Sequence, residues 1–164
     1  MSTFVSLGNA TQPFPRLLEA VAKLAPDLPQ PVTVQYGNNK FACSGCRPVD
    51  FLAMDSFMTH IREADVLILH AGAGTVVNAV QAGKIPVIAP RRAQNGEHID
   101  DHQVEFARAL GATGRVVVVD DMAQLGSAVK EARLRQAGHL PSMRSPPLVS
   151  MIARVLAGYA EHAG

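Results

Sequence analysis

Short apolar runs alternate with amphipathic stretches along most of the chain. Residues 66–69 form a continuous apolar run with β-branched members, which is typical of a strand buried on both faces of a parallel sheet. Further strands are predicted at residues 4–7, 32–36, 49–53, 87–89 and 116–119.

Between these runs, apolar residues recur at helical spacing. Helices are predicted at residues 13–24, 56–64, 75–82, 104–110 and 122–137. The first is expected to have Thr11 or Gln12 as its cap and Pro13 near its first position, where a missing N–H costs nothing. Alternating strands and helices predict an α/β fold, a Rossmann-like parallel sheet with helices on both faces. We expect one domain over residues 1–140, then a Pro/Ser-rich linker and an amphipathic C-terminal helix within residues 141–164.

A glycine-rich turn, His70-Ala71-Gly72-Ala73-Gly74, follows the run at residues 66–69. Small residues let the backbone turn tightly and approach a ligand, and Thr75 is the predicted N-cap of the helix that follows. The unpaired N–H groups of a first helical turn and the positive end of the helix dipole converge at such a turn. α/β proteins bind phosphate in this way.

The turn departs from two known nucleotide-binding motifs. Val77 replaces the third glycine of G-x-G-x-x-G, and no Lys-Ser/Thr pair follows the glycines as in a P-loop. The residues alone therefore leave two interpretations, a phosphate site or a tight strand-to-helix turn.

Residues 90–103, PRRAQNGEHIDDHQ, are rich in hydrogen-bonding groups and follow the predicted strand at residues 87–89. Ligands bind at the carboxyl ends of strands in open α/β sheets. A solvated loop is the alternative, and the neighbouring glycine turn favours a ligand site.

Composition excludes several classes of protein. A net charge of +1 argues against general nucleic-acid binding, which uses strongly basic chains. No apolar run approaches the about 20 residues of a membrane helix, and the N-terminus lacks the features of a signal peptide; we expect a cytoplasmic protein.

The two cysteines form the motif Cys43-Ser-Gly-Cys46. Without a second ligand pair we expect a loop with two free thiols, a redox motif being the alternative.

The segment HAGAGTVVNAVQAGKIPVIAP, followed by DDHQVEFARAL, resembles the C-terminal, donor-binding domain of the family 28 glycosyltransferases. The opening GNATQPFPRLLEAV is similar to the first glycine turn and helix of that domain. The resemblance covers residues 1 to about 137 and implies the C-terminal half of a GT-B fold. Because no acceptor domain accompanies it, the chain is most similar to the soluble subunit of two-part members. In those, a membrane-associated protein supplies the acceptor half, as in bacterial exopolysaccharide synthesis and the eukaryotic dolichol-linked UDP-GlcNAc transferase.

The resemblance implies a site for a UDP-sugar. Asp101 and Gln103 fall where an acidic residue and a glutamine hold the hydroxyls of the donor sugar. Asn78 stands where many relatives place a glutamate on the ribose; its amide oxygen can accept a hydrogen bond but brings no charge. The remaining implied contacts lie in the two glycine turns, those of the second turn on the diphosphate: Gly8, Asn9, His70, Gly72, Ala73, Gly74 and Thr75.

Glycosyl transfer expels a nucleoside diphosphate, so negative charge grows on the leaving oxygen. The backbone N–H groups of Gly74 and Thr75, and His70 if it is protonated or presents an N–H, are donors for that charge, each worth roughly 2.7–4 kcal/mol when well placed. No carboxylate cluster demands a metal, and we expect no cofactor besides the donor substrate. No general base is identifiable, so we expect the partner or the interface to supply it.

Two other classes share part of this pattern. A Rossmann-type oxidoreductase would need a glycine at Val77 and an acidic residue after the second strand, where Tyr36-Gly37 stand. A non-catalytic nucleotide-binding or regulatory subunit would share every feature. For the transferase we expect a membrane-anchored acceptor-binding subunit, a lipid-linked saccharide acceptor and a location at the inner face of the membrane. The predicted C-terminal helix either packs on its own domain or docks that partner.

Overall fold

The computed structural model describes residues 1–138 together with Ser150, Ala153, Arg154 and Ala157. The rest of the predicted linker and C-terminal helix lies outside the described residues. The strands of the described part are β1 (Thr3–Ser6), β2 (Val32–Gln35), β3 (Cys46–Val49), β4 (Val66–His70), β5 (Val87–Ala89) and β6 (Val117–Val118). They form one parallel sheet in the order β3-β2-β1-β4-β5-β6, which confirms the predicted fold class.

Helices follow the strands and cover both faces of the sheet. Short 3₁₀ turns lie at Ala25–Asp27, Ala93–Asn95 and Met122–Gln124. The α-helices within residues 1–138 are α1 (Pro15–Leu24), α2 (Met54–Glu63), α3 (Ala73–Gln81), α4 (His102–Gly111) and α5 (Leu125–Gly138).

Each face of the sheet has its own hydrophobic core. Phe4 and Leu67 pack with residues of α2, α3 and α4, whereas Val5 and Ile68, their neighbours in the chain, pack with residues of α1 and α5. Successive side chains of a strand point to opposite faces, so a strand covered on both sides is apolar at most of its positions. This is why the strand at the centre of the sheet reads as a continuous apolar run.

The chain changes direction across the sheet between β1 and β4. β1 pairs with β2 on one side and with β4 on the other, so the connections that follow β1 and β4 leave toward opposite edges. A crevice opens at the carboxyl ends of two such strands. The first glycine turn follows β1 there, and the second follows β4.

The start of α1 differs from the sequence prediction. The helix begins at Pro15 with Phe14 as its N-cap, so the prediction of Thr11 or Gln12 as the cap is wrong. The N–H of Phe14 donates to Asn39 Oδ1 at 2.6 Å, and the Phe14 ring is fully buried. These long-range contacts keep residues 8–14 out of the helix.

The third strand also differs. It lies at Cys46–Val49, so its first three residues fall within residues 41–48, for which the sequence pattern predicts a loop, and the prediction of a strand at residues 49–53 is wrong apart from its first residue. β3 is the edge strand, paired with β2 alone, and Arg47 and Pro48 are exposed. An edge strand with polar residues carries no apolar pattern, so the sequence signal was absent. The helix after it starts at Met54 and not at Ser56.

Cys43 and Cys46 are joined by a disulfide, so the expectation of two free thiols is wrong. The loop Cys43-Ser44-Gly45-Cys46 turns back on itself through Gly45, whose φ is +85°, and the Cys46 N–H donates to the Cys43 carbonyl at 3.3 Å. The turn brings the two side chains together at the start of β3, whose first residue is Cys46.

Candidate functional site

A cavity of about 350 Å³ opens at the carboxyl ends of β1 and β4. Eight of the ten predicted site residues line it: Gly8, Asn9, His70, Gly72, Ala73, Gly74, Thr75 and Asn78. At the other wall lie the apolar side chains of Leu52, Met54 and Phe57, which come from the segment after β3 and from α2. The cavity therefore has a polar glycine-rich end and an apolar end.

His70 lies between the two glycine turns. A Cβ placed on Gly8 or on Gly72 would overlap its imidazole ring, so glycine is required on both sides of it. Gly8 additionally has a φ of +74°, a conformation that other residues adopt only with strain. Gly8 and Gly72 thus leave room for the His70 ring, in addition to letting the backbone approach a ligand.

His70 is uncharged at neutral pH. Its side chain is 9% exposed, and burial, reinforced by the charge of Arg91, lowers the pKa of the imidazole to about 3. Of the two states considered from the sequence, the structure supports a neutral ring that presents an N–H. His70 Nε2 is buried with no hydrogen-bond partner among the described residues.

The N-terminus of α3 points into the cavity. The helix begins at Ala73 with Gly72 as its N-cap, so the prediction of Thr75 as the cap is wrong. No side chain caps this end, and the first bond of the helix runs from the Val76 N–H to the Gly72 carbonyl. The N–H groups of residues 73–75 precede that bond and have no helical partner. They lie in the cavity wall together with the positive end of the helix dipole.

The two predicted sugar contacts do not line this cavity. Asp101 is exposed at the N-cap position of α4, and its Oδ1 accepts from the Ala93 N–H at 2.9 Å. Gln103 is half-buried and contacts His70. Both nevertheless lie in the polar segment after β5. Gln103 contacts the imidazole of His70, and His70 itself lines the cavity.

A buried charge network organises that polar segment. Arg91 is 0% exposed and Glu97 is 2% exposed. The Arg91 guanidinium donates to the carbonyls of Leu7 at 2.7 Å, Gln12 at 2.8 Å and Glu97 at 3.0 Å. Burial lowers its pKa to about 10, so it stays charged at neutral pH. Arg91 therefore ties the loop after β5 to the glycine turn after β1.

Glu97 is the anion of this network. Its carboxylate accepts from Arg16 Nε at 2.6 Å and Arg16 Nη2 at 3.0 Å, a bidentate pair, and from the Arg92 N–H at 2.9 Å. The guanidinium groups of Arg16 and Arg91 also lie 5.0 and 4.8 Å from the centre of the Phe14 ring. No local sequence pattern indicated a role for Arg16, because its partner Glu97 lies 81 residues away.

The comparisons with known proteins agree with this geometry. Residues 4–147 match the family model of the glycosyltransferase family 28 C-terminal domain. The chain belongs to this family. Its fold confirms the expected C-terminal half of a GT-B glycosyltransferase.

Two solved structures share the fold. The glycotransferase of kitacinnamycin superposes with a TM-score of 0.63 at 19% identity, over 92% of this chain and 43% of that one. The glycosyltransferase SnogD from Streptomyces nogalater superposes with a TM-score of 0.55 at 19% identity, over 95% of this chain and 42% of that one. The family domain thus corresponds to less than half of either enzyme.

One relative is similar in sequence. The UDP-N-acetylglucosamine transferase subunit ALG13 of Yarrowia lipolytica (strain CLIB 122 / E 150) is 32% identical over 72 residues, which are 44% of this chain and 35% of that protein. The match therefore covers about a third of the relative.

Neither a membrane-spanning helix nor a metal-binding cluster is present among the described residues. In residues 1–138 and the four isolated positions, no helix has the length and apolar character of a membrane span. In the same part of the chain, no three His, Cys, Asp or Glu side chains are grouped so that they could hold a metal ion.

Proposed function

We propose that the chain is the donor-binding subunit of a UDP-sugar-dependent glycosyltransferase, active with a membrane-anchored subunit that binds a lipid-linked saccharide acceptor in exopolysaccharide or glycan synthesis. The observation that carries the proposal is the uncapped N-terminus of α3 beside the buried His70, in a cavity at the carboxyl ends of β1 and β4. The N–H groups that open α3 and the ring nitrogen Nε2 of His70, neither of which has a partner among the described residues, therefore meet in one cavity.

The cavity has a suitable surface for each part of a nucleoside diphosphate. The diphosphate fits the glycine-rich end, where the N–H groups of residues 73–75 and the helix dipole favour an anion. The apolar wall of Leu52, Met54 and Phe57 suits a flat nucleobase. Asn78 lies one helical turn beyond Gly74 on α3 and also lines the cavity, in reach of a ribose hydroxyl.

The same groups would promote the reaction. As the acceptor oxygen bonds to the anomeric carbon of the sugar, the bond from that carbon to the β-phosphate breaks and leaves negative charge on the phosphate oxygen. Hydrogen-bond donors that are already oriented stabilise this charge without reorganisation. Asp101, which is exposed at the N-cap position of α4, is assigned to a donor-sugar hydroxyl. We assign removal of the proton from the acceptor hydroxyl to a base on the partner subunit or at the interface.

The partner requirement is supported by the related Yarrowia lipolytica protein, which is named a subunit of its transferase. A second domain over the cavity would exclude water, which otherwise hydrolyses the donor. Attachment to the partner would place the chain at the inner face of the membrane.

Calorimetry with UDP and with NAD tests the donor class. The chain should bind UDP through the turn at residues 70–75, and Gly74→Val should abolish that binding while the fold is retained. A Cβ on Gly74 meets no atom within 4 Å, so the added side chain would occupy ligand space and displace no protein atom. Gly126→Ala is the control, since its Cβ would make ordinary contact with Leu24 at 3.5 Å and it lies outside the cavity.

Other results would point elsewhere. Tighter binding of NAD than of UDP would favour an oxidoreductase. Binding of UDP-sugars without turnover, even with the acceptor-binding partner present, would favour a non-catalytic nucleotide-binding or regulatory subunit.

A further inference from the structure

Gln103 links the polar segment to His70 through two hydrogen bonds. Its Oε1 accepts from the backbone N–H of Arg91 at 3.1 Å, and its Nε2 lies 3.4 Å from His70 Nδ1. Both ends of the amide are therefore engaged by protein groups, and neither end lines the cavity directly.

The direction of these bonds follows from the chemistry of the groups. A backbone N–H can only donate, so the Gln103 oxygen must face Arg91 and its NH₂ group must face His70. An amide NH₂ also can only donate, so His70 Nδ1 must accept. A neutral imidazole that accepts at Nδ1 carries its proton on Nε2.

We propose that Gln103 is a positioning residue, which holds His70 in the tautomer protonated on Nε2 so that the ring presents a donor, and not a lone pair, to a phosphate oxygen in the cavity. The role in catalysis rests on the proposed function; the tautomer does not. This differs from the sugar contact that the sequence resemblance implied for Gln103.

Three further observations support the assignment. His70 Nε2 is buried without a partner among the described residues. A buried N–H without an acceptor lowers the stability of the protein, unless a ligand oxygen accepts its hydrogen bond. The Arg91 backbone is fixed, because its guanidinium is held by the carbonyls of Leu7, Gln12 and Glu97. Burial of the ring, and after it the guanidinium charge of Arg91, disfavours a second proton, so His70 is neutral and Gln103 selects between its two neutral tautomers.

The tautomer can be measured directly. Nitrogen-15 NMR of histidine-labelled protein distinguishes a protonated from an unprotonated ring nitrogen, and His70→Gln assigns the signal by its loss. The wild-type chain should show a proton on Nε2 and none on Nδ1. Gln103→Glu should place a proton on Nδ1, because a carboxylate can only accept. A protonated Nδ1 in the wild-type chain would overturn the proposal, whether or not UDP binds.

Ligand binding separates the two roles considered for Gln103. Gln103→Met removes both hydrogen bonds with little change in volume and should weaken UDP binding about tenfold, the effect of one hydrogen bond to a charged group. Uridine, which has no phosphate, should bind both proteins equally and serves as the control ligand. Unchanged UDP affinity together with weaker UDP-sugar affinity would show a sugar contact and refute the positioning role. Failure of UDP to bind the wild-type chain would count against the proposed function, while the NMR result would still decide the tautomer.

Discussion

Acidification should destabilise this protein through His70. The pKa of the ring is about 3 in the folded chain and 6.5 without the protein environment. Between these values the unfolded chain binds a proton that the folded chain excludes, so protonation favours unfolding. The contribution of His70 to the free energy of unfolding is therefore fully present above the unfolded pKa. It is lost as the pH drops from about 6.5 toward 3.

The size of the effect follows from the two pKa values. Each pH unit between them contributes ~1.4 kcal/mol, and the integrated loss between about pH 7.5 and about pH 5 is ~2 kcal/mol. This is a substantial part of the 5–15 kcal/mol or so by which domains are stable. Burial is the larger cause of the depressed pKa, and the neighbouring charges of Arg91 and His98 act in the same direction.

Urea unfolding of the wild-type chain and of His70→Gln at both pH values measures this contribution. Other titrating groups are common to the two proteins, so the difference between their pH dependences isolates His70. The wild-type chain should lose ~2 kcal/mol more than the variant on acidification. An equal loss in both proteins would show that His70 is not held neutral by burial, and the assignment of its protonation state would fail.

The remaining predictions concern packing, the buried ion pair and the partner. Gly72→Ala should destabilise the chain and weaken UDP binding, because its Cβ overlaps the ring of His70; equal thermal stability of variant and wild type would contradict the packing argument. Glu97→Gln should lower the free energy of unfolding by about 1.5–3 kcal/mol, since it removes the buried carboxylate that pairs with the half-buried Arg16. The control Asp120→Asn, at a more exposed ion pair, should cost at most about 1 kcal/mol, and similar losses for both would argue against the network. The chain should transfer sugar to a lipid-linked acceptor only with its membrane-anchored partner, as co-purification and a radiolabelled donor would test; transfer by the chain alone would refute the split-enzyme proposal.

The interior of the fold was predictable because burial on both faces imposes a local pattern. Every position of β4 is buried, and all of its residues except His70, at the carboxyl end, are apolar, as burial on both faces favours. The edge strand β3 was misplaced for the converse reason, since its middle residues face solvent and nothing constrains their polarity.

The location of the cavity that forms the candidate site was predictable as well, and its geometry was not. Glycines next to a buried strand indicate a close approach of the backbone, and they do line the cavity. What approaches them is His70, packed between Gly8 and Gly72, residues that are 64 positions apart along the chain. The sequence shows that glycine is present but not which atom lies against it.

By itself, then, the sequence determined the parallel α/β class, the apolar central strands and the turns that form the candidate site, because these depend on neighbours along the chain. Only the tertiary structure decided the charge and tautomer of His70, the partners of Gln103 and the burial of Arg91 with Glu97. Each of these depends on a dielectric environment or a hydrogen-bond partner supplied by a distant segment, such as the Arg91 guanidinium on the carbonyl of Leu7, 84 residues away. Protonation states in a protein follow from such surroundings, and the surroundings exist only once the strands have been brought side by side.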